Sequence, residues 1–302
     1  MSDENSQRKA VQSLKTPAGK SKRGVLSRRL MLTGVAGAAV GGAGLFARQV
    51  LTAEPNKLSL ADYRMTFSEE FDSPGFSIEN FMTRWYPHTP WWGDFGDAAF
   101  SDPVPGFPFT AHEGHLRIEA RKDSAGKWRS GLISSIDRDG KGFAQQYGYF
   151  EMRAKLPPGP GVWPAFWLNS SMSRDNPDPA VEIDVLEYYG QFPKDIHSTV
   201  IIWPKGGVKA SAEAHIHKVP DMRLSESFHN YGVSVEPDWI IMYFDGQETW
   251  RTPTPDQHKY PLMVLCNLAL GSGWPIDQTI NPSYMYIDHI RVYERIVPSN
   301  AT

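Results

Sequence analysis

The stretch Val181-Glu182-Ile183-Asp184-Val185-Leu186-Glu187-Tyr188-Tyr189-Gly190 sets three carboxylates into an otherwise apolar, β-branched run. A strand alternates its side chains between two faces, so Glu182 and Asp184 point the same way, whereas Glu187 falls on the opposite face of a regular strand. One extra residue between Asp184 and Glu187, a β-bulge, returns all three acids to one face. Burying unpaired acids is costly, so a strand built this way is expected to use them. Four effective strand steps at about 3.3 Å place the two glutamate backbones ~13 Å apart. Side chains leaning toward each other then leave their carboxyls ~5–6 Å apart, the separation of a glycosidase that retains anomeric configuration. An inverting enzyme needs a wider gap to admit water. Asp184, between them, can share a proton or hydrogen bond with Glu182, and negative neighbours favour the protonated form of the acid that must donate.

Just upstream lies Gly161-Val162-Trp163-Pro164-Ala165-Phe166-Trp167-Leu168. Sugars present flat C–H faces that stack on aromatic rings, so acids beside tryptophans suggest a glycan groove lined by Trp163 and Trp167. Either indole would also serve the core. Further along the chain, Phe150–Leu156 alternates apolar and charged residues, and Trp239–Phe244 runs into Asp245-Gly246, a hairpin signal. Other expected strands are Leu116–Ala120, Gly131–Ile136, Ser198–Trp203, Tyr231–Val235, Leu262–Leu270 and Tyr286–Tyr293. Many short strands without a long helical period indicate an all-β, antiparallel β-sandwich. The long connection from Trp85 to Phe109 contains the tandem Trp91-Trp92 with Asp94, Asp97 and Asp102, and is expected to wall a subsite.

Across 302 residues, 40% hydrophobic content and 22% charged residues describe an ordinary globular chain, and a formal charge of −3 argues against general nucleic-acid binding. The lone Cys266 excludes an internal disulfide and reads as a small core residue. His215-Ile216-His217 has the alternation of a surface strand, with no third metal ligand standing out.

The chain resembles glycoside hydrolase family 16, in the subset with a bulged E-x-D-x-x-E strand. The matching parts run in family order: Phe67–Asp72, Ser130–Ser135, Tyr147–Arg153, Leu156–Leu168, the Glu182–Glu187 motif, Phe228–Tyr231, Tyr243–Gly246, Asn267–Gly271 with Trp274-Pro275, and Ile287–Tyr293. The resemblance implies a concanavalin-like jelly roll whose concave sheet carries the active-site cleft. It implies Glu182 as nucleophile, Asp184 as its assistant and Glu187 as general acid/base. His197 matches a family histidine that borders the cleft. The resemblance also implies no cofactor for catalysis and a structural calcium near Gly114 and Asp288.

Residues 1–53 read differently from the rest. A basic segment leads to Ser27-Arg28-Arg29-Leu30-Met31-Leu32 and a Gly/Ala-rich apolar stretch ending near Ala47. This pattern resembles a twin-arginine export signal, read by the twin-arginine machinery, and it leaves 54–302 as a single catalytic domain. The expectation is an exported protein, periplasmic or secreted, with an uncleaved signal serving as anchor as the open alternative. The function expected is a monomeric endo-β-glycanase cutting β-1,3 or mixed-linkage glucan, or a related exopolysaccharide, by double displacement. Three alternatives remain open: an endo-galactanase of agarase or carrageenase type, a transglycosylase, and a non-catalytic glycan-binding sandwich.

Overall fold

The structure, a computed structural model, describes residues 57–72, 77–91, 93–173, 175–219 and 224–296; the export-signal stretch of 1–53 and Trp92 lie outside the described residues. The described chain opens with β1 (Tyr63–Glu70), a single turn of helix α1 (Ile78–Phe81), β2 (Ala99–Phe100), β3 (Phe109–His112) and β4 (His115–Lys122). Next come β5 (Trp128–Ser130), β6 (Leu132–Ser134), β7 (Ala144–Gln145), β8 (Gly148–Lys155) and β9 (Val162–Ser170). The motif strand is β10 (Ala180–Glu187), followed by β11 (Asp195–Trp203), β12 (Ser211–Lys218) and β13 (His229–Val235). The last elements are β14 (Trp239–Phe244), β15 (Gln247–Pro253), β16 (Leu262–Leu270) and β17 (Ser283–Arg295). Each strand expected from the sequence is present; β4, β11, β13 and β17 are longer than expected, and Gly131–Ile136 shortens to β6.

Two sheets form. The ten-stranded sheet runs β15-β14-β13-β8-β17-β4-β5-β2, with β1 on β17 and β3 on β4; the seven-stranded sheet runs β12-β11-β10-β9-β16-β6, with β7 on β16. Pairing is antiparallel except for β2 with β5. The apolar faces meet in a core that includes Phe150, Phe166, Ile183, Leu186, Tyr231, Val264 and Ile290. Cys266 sits there too, its thiol beside the sulfur of Met152 at 3.5 Å, and burial raises its pKa far above the ordinary range.

A sandwich sheet usually wets its outer face. Here β9 and β16 are buried at every position, and β10 at every position after its first. The reason is the connection from Trp85 to Phe109. It hydrogen-bonds along the sheet, Tyr86 to Ser134 and Asp97 N to the carbonyl of Leu270, and lays Phe95 edge-on against Phe100, Trp163 and Trp167. Gly96 permits that approach, because a Cβ there would lie 2.5 Å from the Leu270 carbonyl oxygen. A second apolar cluster, separate from the sandwich core, results on the outer face of β6, β9 and β16.

Candidate active site

Strand β10 carries the three acids, and its register shows the bulge. Against β11, Asp184 pairs with Thr199 and Glu187 with His197, so three steps on one strand oppose two on the other. Against β9, Asp184 pairs with Trp167 and Leu186 with Phe166, which makes Val185 the extra residue. The Ser198 hydroxyl donates to the Val185 carbonyl at 2.9 Å, satisfying a group the bulge takes out of the ladder. Glu182, Asp184 and Glu187 therefore share the outer face, while Val181, Ile183, Val185 and Leu186 enter the core. All three acids are buried, at 5%, 4% and 2% exposure.

Each glutamate is held at one oxygen by two neutral donors. Oε2 of Glu182 accepts from Asn169 Nδ2 at 2.9 Å and from Trp203 Nε1 at 3.1 Å, so strands β9 and β11 grip it from both sides. Oε1 of Glu187 accepts from Trp163 Nε1 at 3.1 Å and from the Tyr189 hydroxyl at 3.2 Å. Neutral donors stabilise a buried carboxylate without adding a counter-charge that would quench its chemistry. Asn169, Trp203 and Tyr189 were not singled out from the sequence. The period of two puts them on the face of the acids without marking them as partners: Asn169 follows Trp167 by two, Tyr189 follows Glu187 by two, and Trp203 shares the parity of His197.

Trp163 and Trp167, expected to line a glycan groove or to serve the core, are covered by Phe95 and only 5% and 3% exposed. Burial recruits their indole N–H groups instead, Trp163 to Glu187 and Trp167 to Asn267 Oδ1 at 2.9 Å. Trp91 lies edge-on to Trp167 with centroids 5.9 Å apart and remains half-buried, a ring still reachable at the rim. Its neighbour Trp92 is outside the described residues. His197 is buried opposite Glu187, its ring edge-on to Tyr189 at 4.8 Å. Within the loop, burial raises the pKa of Asp94.

Gly114 and Asp288 do not fit a calcium ion. Such a site gathers about six to eight oxygens. Asp288 instead spends Oδ2 on Arg153 at 3.1 Å and on His289 Nδ1 at 3.1 Å, while His115 Nε2 stands 3.6 Å from Oδ1. The Arg153 guanidinium would repel the cation, and the two imidazoles supply no oxygen. Gly114 occupies the β3–β4 turn at φ +77°, its missing Cβ pointing at Asp72, which accounts for the glycine without a metal. The pair His215 and His217 packs on Trp250 and Phe244, and burial depresses both imidazole pKa values.

Residues 108–291 match the family model described as glycosyl hydrolases family 16. The chain is 31% identical over 266 residues to the endo-1,3-1,4-beta-glycanase EglC of Rhizobium meliloti, covering 79% of this chain and 54% of that protein. It is 27% identical over 272 residues to the glucan endo-1,3-beta-glucosidase A1 of Niallia circulans, covering 80% of this chain and 39% of that one. The chain thus spans about half the length or less of these curated relatives. Among solved structures, the catalytic domain of an endo-1,3-beta-glucanase (laminarinase) from Thermotoga petrophila superposes with a TM-score of 0.63 at 26% identity. That match covers 78% of this chain and 98% of the other.

Proposed function

The chain belongs to glycoside hydrolase family 16, and from that premise we propose that it is a retaining endo-β-glycanase acting on β-1,3 or mixed β-1,3/1,4-linked glucan, or a related exopolysaccharide. The observation that carries the reading is the set of three carboxylates on one face of a bulged strand, with Glu182 and Glu187 each gripped at one oxygen. Glu182 attacks the anomeric carbon while Asn169 and Trp203 hold its Oε2. The glycosidic C–O bond breaks as Glu187 passes its proton to the leaving oxygen, giving a covalent glycosyl ester. Glu187 then takes a proton from water, whose oxygen displaces Glu182 and restores the original configuration. Asp184, between the two, hydrogen-bonds or shares a proton with Glu182 as its charge is consumed.

Charge on the binding face favours a neutral glucan. Strands β6, β9, β10, β11, β12 and β16 contain one lysine or arginine between them, Lys218, and it is tied to Asp195 at 2.8 Å. On these strands a sulfated galactan would meet the three carboxylates of β10 and no guanidinium. The endo mode is supported by the relatives, an endo-1,3-1,4-beta-glycanase and an endo-1,3-beta-glucanase.

The test is a panel of laminarin-type glucan, mixed-linkage glucan, agarose and carrageenan, followed by viscosity and by proton NMR of the first product. Viscosity should fall before reducing ends accumulate, with the β-anomer formed first and activity lost in both Glu182→Gln and Glu187→Gln. A first-formed α-anomer, or unchanged rates in either variant, would overturn the mechanism; cleavage of the galactans alone would overturn the substrate. Residues 54–302 form the catalytic domain in this reading, and 1–53 direct export through the twin-arginine route. Replacing Arg28 and Arg29 by lysine should trap active enzyme in the cytoplasm, and unimpaired export would reject that route.

A further inference from the structure

Glu187 and Glu182 face the same surface, but their supports differ in origin. The donors to Glu182 come from the two neighbouring strands. One donor to Glu187, Tyr189, comes from the segment that follows its strand, two residues beyond Glu187. The other, Trp163, lies nearly parallel to the Tyr189 ring, with centroids 6.3 Å apart and 12° between planes. Glu187, Trp163 and Tyr189 are 2%, 5% and 3% exposed, so no bulk water competes for these bonds.

We propose that Tyr189 is a positioning residue that, with Trp163, keeps Oε1 of Glu187 as a hydrogen-bond acceptor and so places the transferable proton on Oε2. An indole N–H can only donate, so the oxygen facing it must accept. A carboxyl group accepts far better at its carbonyl oxygen than at its hydroxyl oxygen. With two donors converging on Oε1, the protonated acid therefore adopts the form whose hydroxyl is Oε2. When the proton leaves, the same two bonds strengthen, because a charged acceptor makes the stronger hydrogen bond. Tyr189 thereby biases both the site of the proton and the readiness of its release. Packing alone does not account for the residue. A phenyl ring would stack on Trp163 and meet His197 equally well, and only the hydroxyl reaches Glu187.

The other groups facing Glu187 belong to several elements. Asp184 and Glu182 share its strand and face, and His197 sits opposite on β11. Strand β9 contributes Ala165 and Trp163, and β16 contributes Asn267 beyond Ala165, none of them ionisable in the working range. Asp94 and Asp97 flank Phe95 in the covering loop.

The proposal rests on the reading of Glu187 as general acid/base, and its test separates the two. In Tyr189→Phe, loss of one donor makes the ionised carboxylate less favourable, so Glu187 should hold its proton to higher pH. The alkaline limb of the kcat/KM profile on β-glucan should move up by about half to one pH unit. With a dinitrophenyl glycoside, which leaves without protonation, kcat/KM should change less than twofold. An isotope-edited infrared titration of the Glu187 carboxyl, assigned with Glu187→Gln, should show the same upward displacement in free protein. A superimposable or downward-shifted titration would overturn the proposal, as would equal losses on both substrates. If the parent protein cuts no glucan, the enzymatic reading fails, yet the infrared titration still decides the role of Tyr189.

Discussion

Asn169 and Trp203 are where single side chains decide the chemistry of Glu182. Both donate to the same oxygen, and a hydrogen bond to a charged group is worth about 1.5–3 kcal/mol. In the glycosylation step Glu182 loses its charge as the ester forms, so these bonds serve mainly to aim the carboxylate. Asn169→Ala and Trp203→Phe should each lower kcat/KM by about tenfold or more, with KM for the polysaccharide changing less than kcat. Burst kinetics with an aryl glycoside would locate the loss in formation of the intermediate. Slowing confined to its breakdown would contradict this role. The acids themselves were legible from the sequence because an ionisable residue inside an apolar strand is conspicuous. Their partners were not, since asparagine, tryptophan and tyrosine are all ordinary in buried strands.

The bulge in β10 is an element-scale device with a testable logic. Val185 is the residue in excess, and its removal leaves Glu182, Asp184 and Glu187 at regular two-residue spacing on one face. Deleting Val185 should thus preserve activity within about tenfold while lowering stability by ~1–3 kcal/mol through the lost buried side chain. Inserting an alanine between Val185 and Leu186 should instead turn Glu187 into the core and abolish both folding stability and activity. Thermal denaturation alongside activity separates these outcomes, and an active insertion variant would refute the register. The bulge was readable from the motif because alternation fails at one position. The covering of β9 and β16 by the Trp85–Phe109 connection was not. Period-two patterning reports that a strand is buried on both faces, as in the runs 162–170 and 262–270, but not what buries it.

Across the whole molecule, stability responds to pH through groups far from the acids. His258 is buried and bonded through Nε2 to the Gln146 carbonyl at 3.0 Å, and burial lowers its pKa below the ordinary 6.5. The unfolded chain then binds a proton near 6.5 that the folded chain resists, so stability falls as pH drops below that value and is fully present above it. His258→Gln should flatten the stability profile between about pH 6.5 and 5, measured by urea titration at successive pH values, and an unchanged slope would reject the assignment. Glu70, paired with Arg291 at 2.7 and 2.9 Å, acts in a lower window. The guanidinium depresses its carboxyl pKa, so its support for the β1–β17 contact is lost only as pH falls through the carboxylate range. By itself the sequence determined the strands, the sandwich class, the bulged strand and the three acids, because alternation and burial cost are local properties that chain order records. Only the tertiary structure decided which oxygen of each glutamate is held, which indoles are buried and that Asp288 pairs with Arg153. Those facts depend on residues as far apart as Trp167 and Asn267 meeting across strands, and no spacing along a chain encodes a distance through space.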